Sequence, residues 1–502
     1  MSMRYAAIVL LIALAGCGGV GPTYQRPQQT PPAQFVAASP WKEAAPGDLL
    51  TRGSWWELFG DTTLDQIEQQ AHKNSPRLQA AAARVDQARA IAGTFDAAIL
   101  PTVNLGVDAA RQGVSEHRID QPSKRPGNVA YDTNWFRVPL YVSYELDLWG
   151  KVRNSVVAAD ARVEAAQASY QTVLLTLESE IAQTYFALRT TDEDLRILKR
   201  NLELRQRAFD LVSVRKRGGL ASEIDLARID TELRTTEADL QGAMRRRIEL
   251  QNALAVLSGQ TPEQFQLGEQ PLDLRPPAIP VGLPADLLER RPDVAEAERL
   301  LIARNAEIGV ARAAYFPSIK LTGAIGFEST ALSTLLDRDS LIWTIGTAIT
   351  QPLFDAGRNR ANVERARAAF NENNAQYRDR LLVAFQEVEN SLSGLGILQQ
   401  QYDLQSRAVV SAQRAEQLAT ARFKTGLVIV LEVIDAQRTR LQTERARLQT
   451  LNQQMLASVA LIKALGGGWT TAALGQKPSA SSAVPSRTHA MASGGVEDSR
   501  VH

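Results

Sequence analysis

Two hydrophobic periods divide this chain between strands and long helices. Val138, Leu140, Val142, Tyr144, Leu146 and Leu148 alternate with Pro139, Tyr141, Ser143, Glu145 and Asp147, a period of two over eleven residues. Val103, Leu105, Val107 and Ala109 alternate with Thr102, Asn104, Gly106 and Asp108. Ile319, Leu321, Ile325 and Phe327 alternate with Ser318, Lys320, Thr322 and Glu328, and Trp343, Ile345 and Ile349 with Thr344, Gly346, Ala348 and Thr350. Four strands of this kind match bilayer-spanning barrel strands of about 9–11 residues, apolar on the lipid face and polar on the other. Trp135, Phe136 and Trp343 are expected at strand ends, where an aromatic girdle would lie. A half-buried sheet in a soluble sandwich carries the same alternation. Four strands cannot close a barrel, and an open edge in lipid leaves backbone groups unpaired. A membrane reading therefore requires several copies of the chain to pool their strands.

The second period is seven. Leu174, Ile181, Leu188, Leu195, Leu202 and Phe209 recur at that spacing, as do Leu381, Val388, Leu395, Tyr402, Val409, Glu416 and Phe423. Sustained heptads predict helices packed side by side. No proline interrupts 151–217 or 358–424, so each stretch can form one helix about 100 Å long at roughly 1.5 Å per residue. Arg215-Lys216-Arg217 precedes Gly218-Gly219, and Arg422 and Lys424 precede Gly426. Basic residues suit a helix C-terminus, and glycine suits the left-handed position that ends it. Ser222 and Asp225 resemble a capping box that starts a return helix. Returns are expected at 222–257, with Leu226, Ile229, Leu233 and Leu240, and at 429–465, with Val433, Ile434, Leu441, Leu448 and Leu451.

The two sets of elements are copies of one unit. Ala97-Ala98-Ile99-Leu100-Pro101 returns as Ala313-Ala314-Tyr315-Phe316-Pro317, and Pro76 corresponds to Pro292, both at offset 216. Gly150-Lys151 pairs with Gly357-Arg358, Gly219 with Gly426, and Leu257 with Ala464, all at offset 207. One step of nine residues between 102 and 149 accounts for the drift. The period is too long for a solenoid. Each copy is a strand hairpin plus a long helical hairpin: 51–259 and 291–466, joined by a segment at 260–290.

The termini and the composition narrow the setting. Residues 1–16 read as an export signal, with Arg4 before a short apolar core from Ala6 to Ala15. Leu14-Ala15-Gly16-Cys17 resembles a lipobox, in which Cys17, the single cysteine, would be acylated. Gly18 in place of Asp resembles a signal for outer-membrane delivery. Residues 17–50 read as a Pro-rich tether and 467–502 as a disordered or equatorial tail. Fifty-six basic against 55 acidic residues give no net field for nucleic acid. His72, His117, His489 and His502 are scattered, and no phosphate loop or metal-ligand cluster is evident. No catalytic residues, cofactor or metal are expected.

Three segments carry a resemblance to a known family. They are Tyr144-Glu145-Leu146-Asp147-Leu148-Trp149-Gly150-Lys151, Arg290-Arg291-Pro292-Asp293-Val294 and Ala311-Arg312-Ala313-Ala314-Tyr315-Phe316-Pro317-Ser318. The pattern from about 50 to 466 resembles the TolC-like outer-membrane efflux protein family, in its lipoprotein branch that works with resistance-nodulation-division pumps. The resemblance implies a mixed, mainly α fold. A trimeric β-barrel, four strands per chain, would continue into a long periplasmic α-helical barrel. An equatorial belt would include residues near 50–72, 260–290 and the chain past 466. It implies a homotrimer, a periplasmic membrane-fusion adaptor and an inner-membrane pump as partners. Asp108, Tyr141, Ser143, Glu145, Asp147, Lys320, Thr322 and Glu328 would line the pore, giving a mild preference for cations. Loops 112–134 and 329–341 would lie outside the cell.

In one branch of the family the tip turn carries a pore-facing Asp, and Val428 stands at that place here. Gly219, Gly426, Leu427, Val428 and Val430 are thus the expected gate and adaptor tip. An apolar constriction can close a pore by dewetting, but the same residues could instead pack between helices. The function expected is passive conduction of small toxic molecules out of the cell. A tunnel for secreted proteins and a structural coiled-coil lipoprotein remain alternatives.

Overall fold

The computed structural model describes residues 19–27, 54–114, 131–270, 275–277, 279 and 291–469. Cys17, the signal segment, most of the tether, residues 115–130, 271–274, 278 and 280–290, and the chain beyond 469 lie outside the described residues. In chain order the elements are α1 (Thr62–Asn74), α2 (Pro76–Asp96), β1 (Thr102–Leu105), β2 (Asp108–Val114), β3 (Tyr131–Leu146), α3 (Lys151–Arg217) and α4 (Glu223–Leu257). The second copy supplies α5 (Pro292–Ala313), β4 (Ser318–Ser329), β5 (Leu341–Thr350), α6 (Arg358–Lys424) and α7 (Val430–Ala464). A 3-10 turn, Trp55–Phe59, precedes α1.

Both long helices have the expected 67 residues. Gly150 and Gly357 take positive φ at their starts, and Gly219 and Gly426 just past their ends. Ser222 and Asp225 form the reciprocal capping box of α4. The heptad seam is internal: Ile181, Leu188, Leu195, Leu381, Val388 and Val409 are buried. Glu416 occupies one seam position because Arg440 of α7 pairs with it there, while also bonding Glu444 at 3.1 Å. A buried carboxylate is tolerated on an apolar seam only with such a partner. Among the described residues no helix is long and apolar enough to cross a membrane.

The strands form one antiparallel sheet, with β1 and β2 on one side of β3, then β4 and β5. β1 and β2 keep a single register against β3, with Leu105 opposite Leu140 and Asp108 opposite Arg137. They are one strand interrupted opposite Pro139, which has no N–H to donate. Gly106 donates to the Pro139 carbonyl at 2.8 Å, so half of that ladder step survives. On the other side Pro139 faces Gly326. A β-carbon on Gly326 would stand 2.5 Å from Pro139 Cα and harder still against the Val138 carbonyl.

Three sequence expectations change here. β3 begins at Tyr131, seven residues before Val138, because its outer end pairs with β2 up to Val114. That outer end, with Asp132, Thr133, Asn134 and Arg137, lacks apolar alternation, so period two is silent there. Trp135 and Phe136 consequently lie within the strand, opposite Ala110 and Ala109, and not at its end. Only Trp343 lies close to a strand start. Finally, the strand stops at Leu146, which leaves Asp147 and Leu148 beyond it.

Below the sheet, the family-like motifs act as joints. The Trp149 indole donates to the Pro317 carbonyl at 2.8 Å and its ring stacks on Phe316 at 4.7 Å, so the two copies meet at the strand-helix junction. Arg291, buried at the start of α5, bonds Asp293 at 2.8 Å, Glu387 of α6 at 2.6 Å and the Ala464 carbonyl of α7 at 3.1 Å. The largest apolar cluster lies at this level. It gathers Trp55, Trp56, Phe59 and Leu64 onto Ile181, Tyr185, Phe186 and Leu188 of α3 and onto Leu461 and Ile462 of α7.

A buried acidic pocket interrupts that cluster. Glu178 accepts from the Trp55 indole at 2.8 Å and contacts His72 Nε2 at 2.9 Å. Glu68 is fully buried, and neither carboxylate oxygen has a hydrogen-bond partner among the described residues. Burial first, then the nearby charges of Glu178 and Asp65, hold its pKa well above the ordinary range. In the fold Glu68 therefore keeps its proton to higher pH than in the unfolded chain. The stability it contributes is present below the unfolded pKa of about 4.3 and falls as pH rises toward the folded value.

Two outcomes are expected. Thermal melts of wild type should lose stability from pH 5 to pH 8, and Glu68→Gln should flatten that slope. A slope unchanged by the substitution would remove Glu68 as its source. Gly326→Val should cost about 1–3 kcal/mol by overpacking against Pro139 and lower the temperature at which the folded sheet is lost in heat-modifiability gels.

Candidate functional site

Register decides which side chains share a face of the sheet, because directly opposed residues project the same way. Glu145 faces Lys320, Ser143 faces Thr322, Tyr141 faces Ala324 and Arg137 faces Glu328. Asp108 also faces Arg137, while Asn104 faces Tyr141 and Thr102 faces Ser143. Asp108, Tyr141, Ser143, Glu145, Lys320, Thr322 and Glu328 therefore lie on one face, as alternation requires. The opposite face carries Val103, Leu105, Val138, Leu140, Ile319, Leu321, Ile325, Trp343, Ile345 and Ile349. It is uncovered: Ile345 is 83% exposed and Trp343 70%. An apolar face this bare on a long sheet needs a non-aqueous neighbour.

Two residues alter the reading of the polar face. Asp147 is not in the strand. Its carboxylate accepts from the backbone N–H of Val152 at 3.1 Å and of Arg153 at 2.8 Å, and from the Arg153 side chain at 3.2 Å. It caps the first turn of α3, satisfying donors that every helix start leaves open. Arg137, absent from the expected set, lies between Asp108 and Glu328 and approaches the Glu328 carboxylate at 3.6 Å. Its guanidinium also stands over the rings of Trp135 and Tyr141. With Asp147 withdrawn and Arg137 added, the strand wall carries Asp108, Glu145 and Glu328 against Arg137 and Lys320, close to neutral. Arg137 keeps the polar phase of the alternation but stands one residue before Val138, where the expected strand began.

At the far end the two helical turns meet in a small core. Val212, Ile229, Phe423, Val430, Val433 and Ile434 are buried together, with Val428 packed against them. Val430 is inside this core and Val428 is half-buried against it. Leu427, Ile429 and Leu431 point outward, and so do Leu220 and Ile224 from the first turn. Gly219 and Gly426 supply the left-handed bends, with φ of 76° and 79°.

The basic helix ends behave differently from a simple self-capping pattern. Arg215 of α3 donates to the Phe423 carbonyl at 3.2 Å and the Lys424 carbonyl at 3.5 Å, at the end of α6. Its guanidinium lies 4.3 Å from the centre of the Phe423 ring. One hairpin thus caps the other and ties the tips together.

The N-terminal segment is docked where it is described. The Val20 N–H donates to the Trp149 carbonyl at 3.3 Å, Asn305 donates to the Pro22 carbonyl at 2.8 Å, and Arg26 pairs with Glu298 at 2.8 Å. The segment following Cys17 starts beside the strand-helix junction and runs along α5, away from the sheet.

With this geometry in place, comparison with known proteins is decisive. The outer membrane efflux protein family model matches residues 67–260 and 283–467. The chain is 36% identical over 450 residues to the pyoverdine export outer membrane protein OpmQ of Pseudomonas putida, covering 88% of this chain and 94% of that one. It is 30% identical over 468 residues to the probable outer membrane lipoprotein SilC of Salmonella typhimurium, covering 93% and 99%. The solved structure of the outer-membrane channel OprN superposes with a TM-score of 0.82 at 30% identity, over 90% of this chain and 99% of that one. The two repeats of strand and helical hairpins, the divided faces of the sheet and these likenesses lead to one conclusion: the chain belongs to the outer membrane efflux protein family and is an outer-membrane efflux channel subunit.

Proposed function

We propose that three copies of this chain close a twelve-stranded barrel and a continuous helical tunnel. Through it, small toxic molecules would be delivered to the exterior from a periplasmic adaptor and an inner-membrane pump. The observation that carries the reading is the sheet itself. It has one polar face, one bare apolar face and, among the described residues, two unpaired edges, at β1–β2 and β5. Such edges are tolerated in hydrocarbon only when neighbouring copies pair with them.

The polar residues Asp108, Tyr141, Ser143, Glu145, Lys320 and Glu328 would then line the pore, joined by Arg137. Asp147 would serve the wall indirectly, by fixing the start of α3. At the periplasmic end, Leu220, Ile224, Leu427, Ile429 and Leu431 form the exposed apolar surface that suits both adaptor docking and closure by dewetting. Val428 and Val430 would support that surface from behind. Cys17 would carry the acyl chains, in keeping with the lipoprotein name of the SilC relative. Its nearest described neighbours leave from the strand-helix junction, the level at which a membrane anchor is needed. OpmQ is named for pyoverdine export, which makes a small secreted metabolite one cargo to test here beside drugs, dyes, solvents and metals.

A deletion strain should become sensitive to at least one of these compounds or fail to export one, and plasmid-borne wild type should restore it. A stable monomer in mild detergent would defeat the closure argument. Leu427→Asp combined with Ile429→Asp should change single-channel conductance or resistance while leaving the oligomer intact. Arg215→Ala should loosen the tips by about 1–3 kcal/mol, read as faster hydrogen exchange across 423–431. Cys17→Ser should abolish incorporation of labelled palmitate.

A further inference from the structure

Immediately below the sheet, the four helices α2, α3, α5 and α6 line an open cavity of about 600 Å³. Its wall carries Lys151 and Arg162 from α3, Arg304 from α5 and Arg365 from α6, against one carboxylate, Glu307. Small residues, among them Ala158, Ala311, Ala314 and Ala366, leave the long cationic side chains room to converge. Arg162 and Arg304 share the single Glu307, the latter at 3.0 Å. Arg365 is exposed and has no hydrogen-bond or ion-pair partner among the described residues. Lys151 bonds Glu145 of β3 at 3.0 Å. Counting Glu145 with Glu307, four cations face two carboxylates, an excess of two positive charges per chain.

The cavity is linked to the polar side of the sheet through Lys151. Glu145 lies on that side, opposite Lys320, and Lys151 joins it directly. Lys151, Ser155, Ala158 and Arg162 then follow at steps of four, three and four along one stripe of α3. Burial, and then the like charge of Arg304, hold the Arg162 guanidinium below its ordinary pKa. One carboxylate bridges two guanidiniums, one on each of its oxygens, which leaves each fork with further N–H donors for an incoming anion. Arginine forks match carboxylate oxygens in pairs, and a partly desolvated setting strengthens those bonds.

We propose that this cavity is a binding station for small organic anions bearing carboxylates, visited during passage through the channel. The inference rests on the reading of the polar face as a pore lining. In a trimer the station repeats three times around the lumen and forms a basic collar directly below a nearly neutral strand wall. A collar of this sign attracts anionic cargo and retards small cations. It reverses the cation preference that the strand residues alone had suggested.

The test uses the full-length lipidated protein reconstituted into phosphatidylcholine bilayers, with citrate as probe. Citrate should block wild-type conductance in a saturable manner, and a KCl gradient should give a reversal potential that favours chloride. Arg304→Gln with Arg365→Gln leaves Arg162 paired to Glu307. That variant should raise the blocking citrate concentration about tenfold or more, the effect of losing one or two charge-assisted bonds, and shift the reversal potential toward potassium. Glu307→Gln, which leaves the cations unopposed, should lower the blocking concentration, so the two variants move in opposite directions. Equal citrate block in wild type and both variants, or no block of a conducting wild-type channel, would overturn the station while leaving the channel standing. A wild-type trimer that conducts nothing would overturn the pore reading, and the station with it.

Discussion

The hydrogen-bonding need of backbone groups in an apolar medium governs this molecule. A sheet that turns a bare row of Ile, Leu, Val and Trp outward cannot lie in water, and a sheet with open edges cannot lie alone in lipid. Both conditions are met only when the edges at β1–β2 and β5 find partners and the apolar face finds hydrocarbon. Even the one weak step in the ladder obeys the constraint. Pro139 cannot donate, so its neighbours on both sides are glycines: Gly106 bonds the carbonyl that remains, and Gly326 allows the backbones to approach.

The helical part answers a different demand, which is length. A helix of 67 residues holds its shape through side-by-side burial more than through intrinsic propensity. The heptad seam provides that burial along α3, α4, α6 and α7, and the broad apolar cluster around Tyr185 and Phe186 anchors it midway. Joints at the two ends of the system keep the copies in step. Trp149 and Phe316 stack where strands become helices, and Arg215 caps the neighbouring helix where the hairpins turn. Arg291 fixes α5 to α6 and α7 between them. These contacts explain why the most recognisable motifs of the chain are structural. They position a wall.

Charge along the proposed path is not uniform. The strand wall pairs its carboxylates with Arg137 and Lys320, and the basic cavity follows at once below it. Glu68 is buried inside packing, and so bears on stability with pH more than on conduction. Sorting charges by which surface they share, and not by their number in the sequence, is what separates these roles.

By itself the sequence determined the duplication, both long helices to the residue, the capping box at Ser222 and the two faces of the central strands. Each of these is a local or periodic property, written in a repeat of two or seven or in a glycine that must take positive φ. Only the tertiary structure decided that Asp147 caps a helix, that Val430 is buried, that Arg137 stands between Asp108 and Glu328, and that Arg215 serves the other hairpin. It alone brought Lys151, Arg162, Arg304 and Arg365, drawn from three helices up to 214 positions apart, to one cavity. The reason is physical: periodicity reports which face of its own element a residue occupies, whereas a partner across elements is fixed by register and packing, which no single stretch of chain contains.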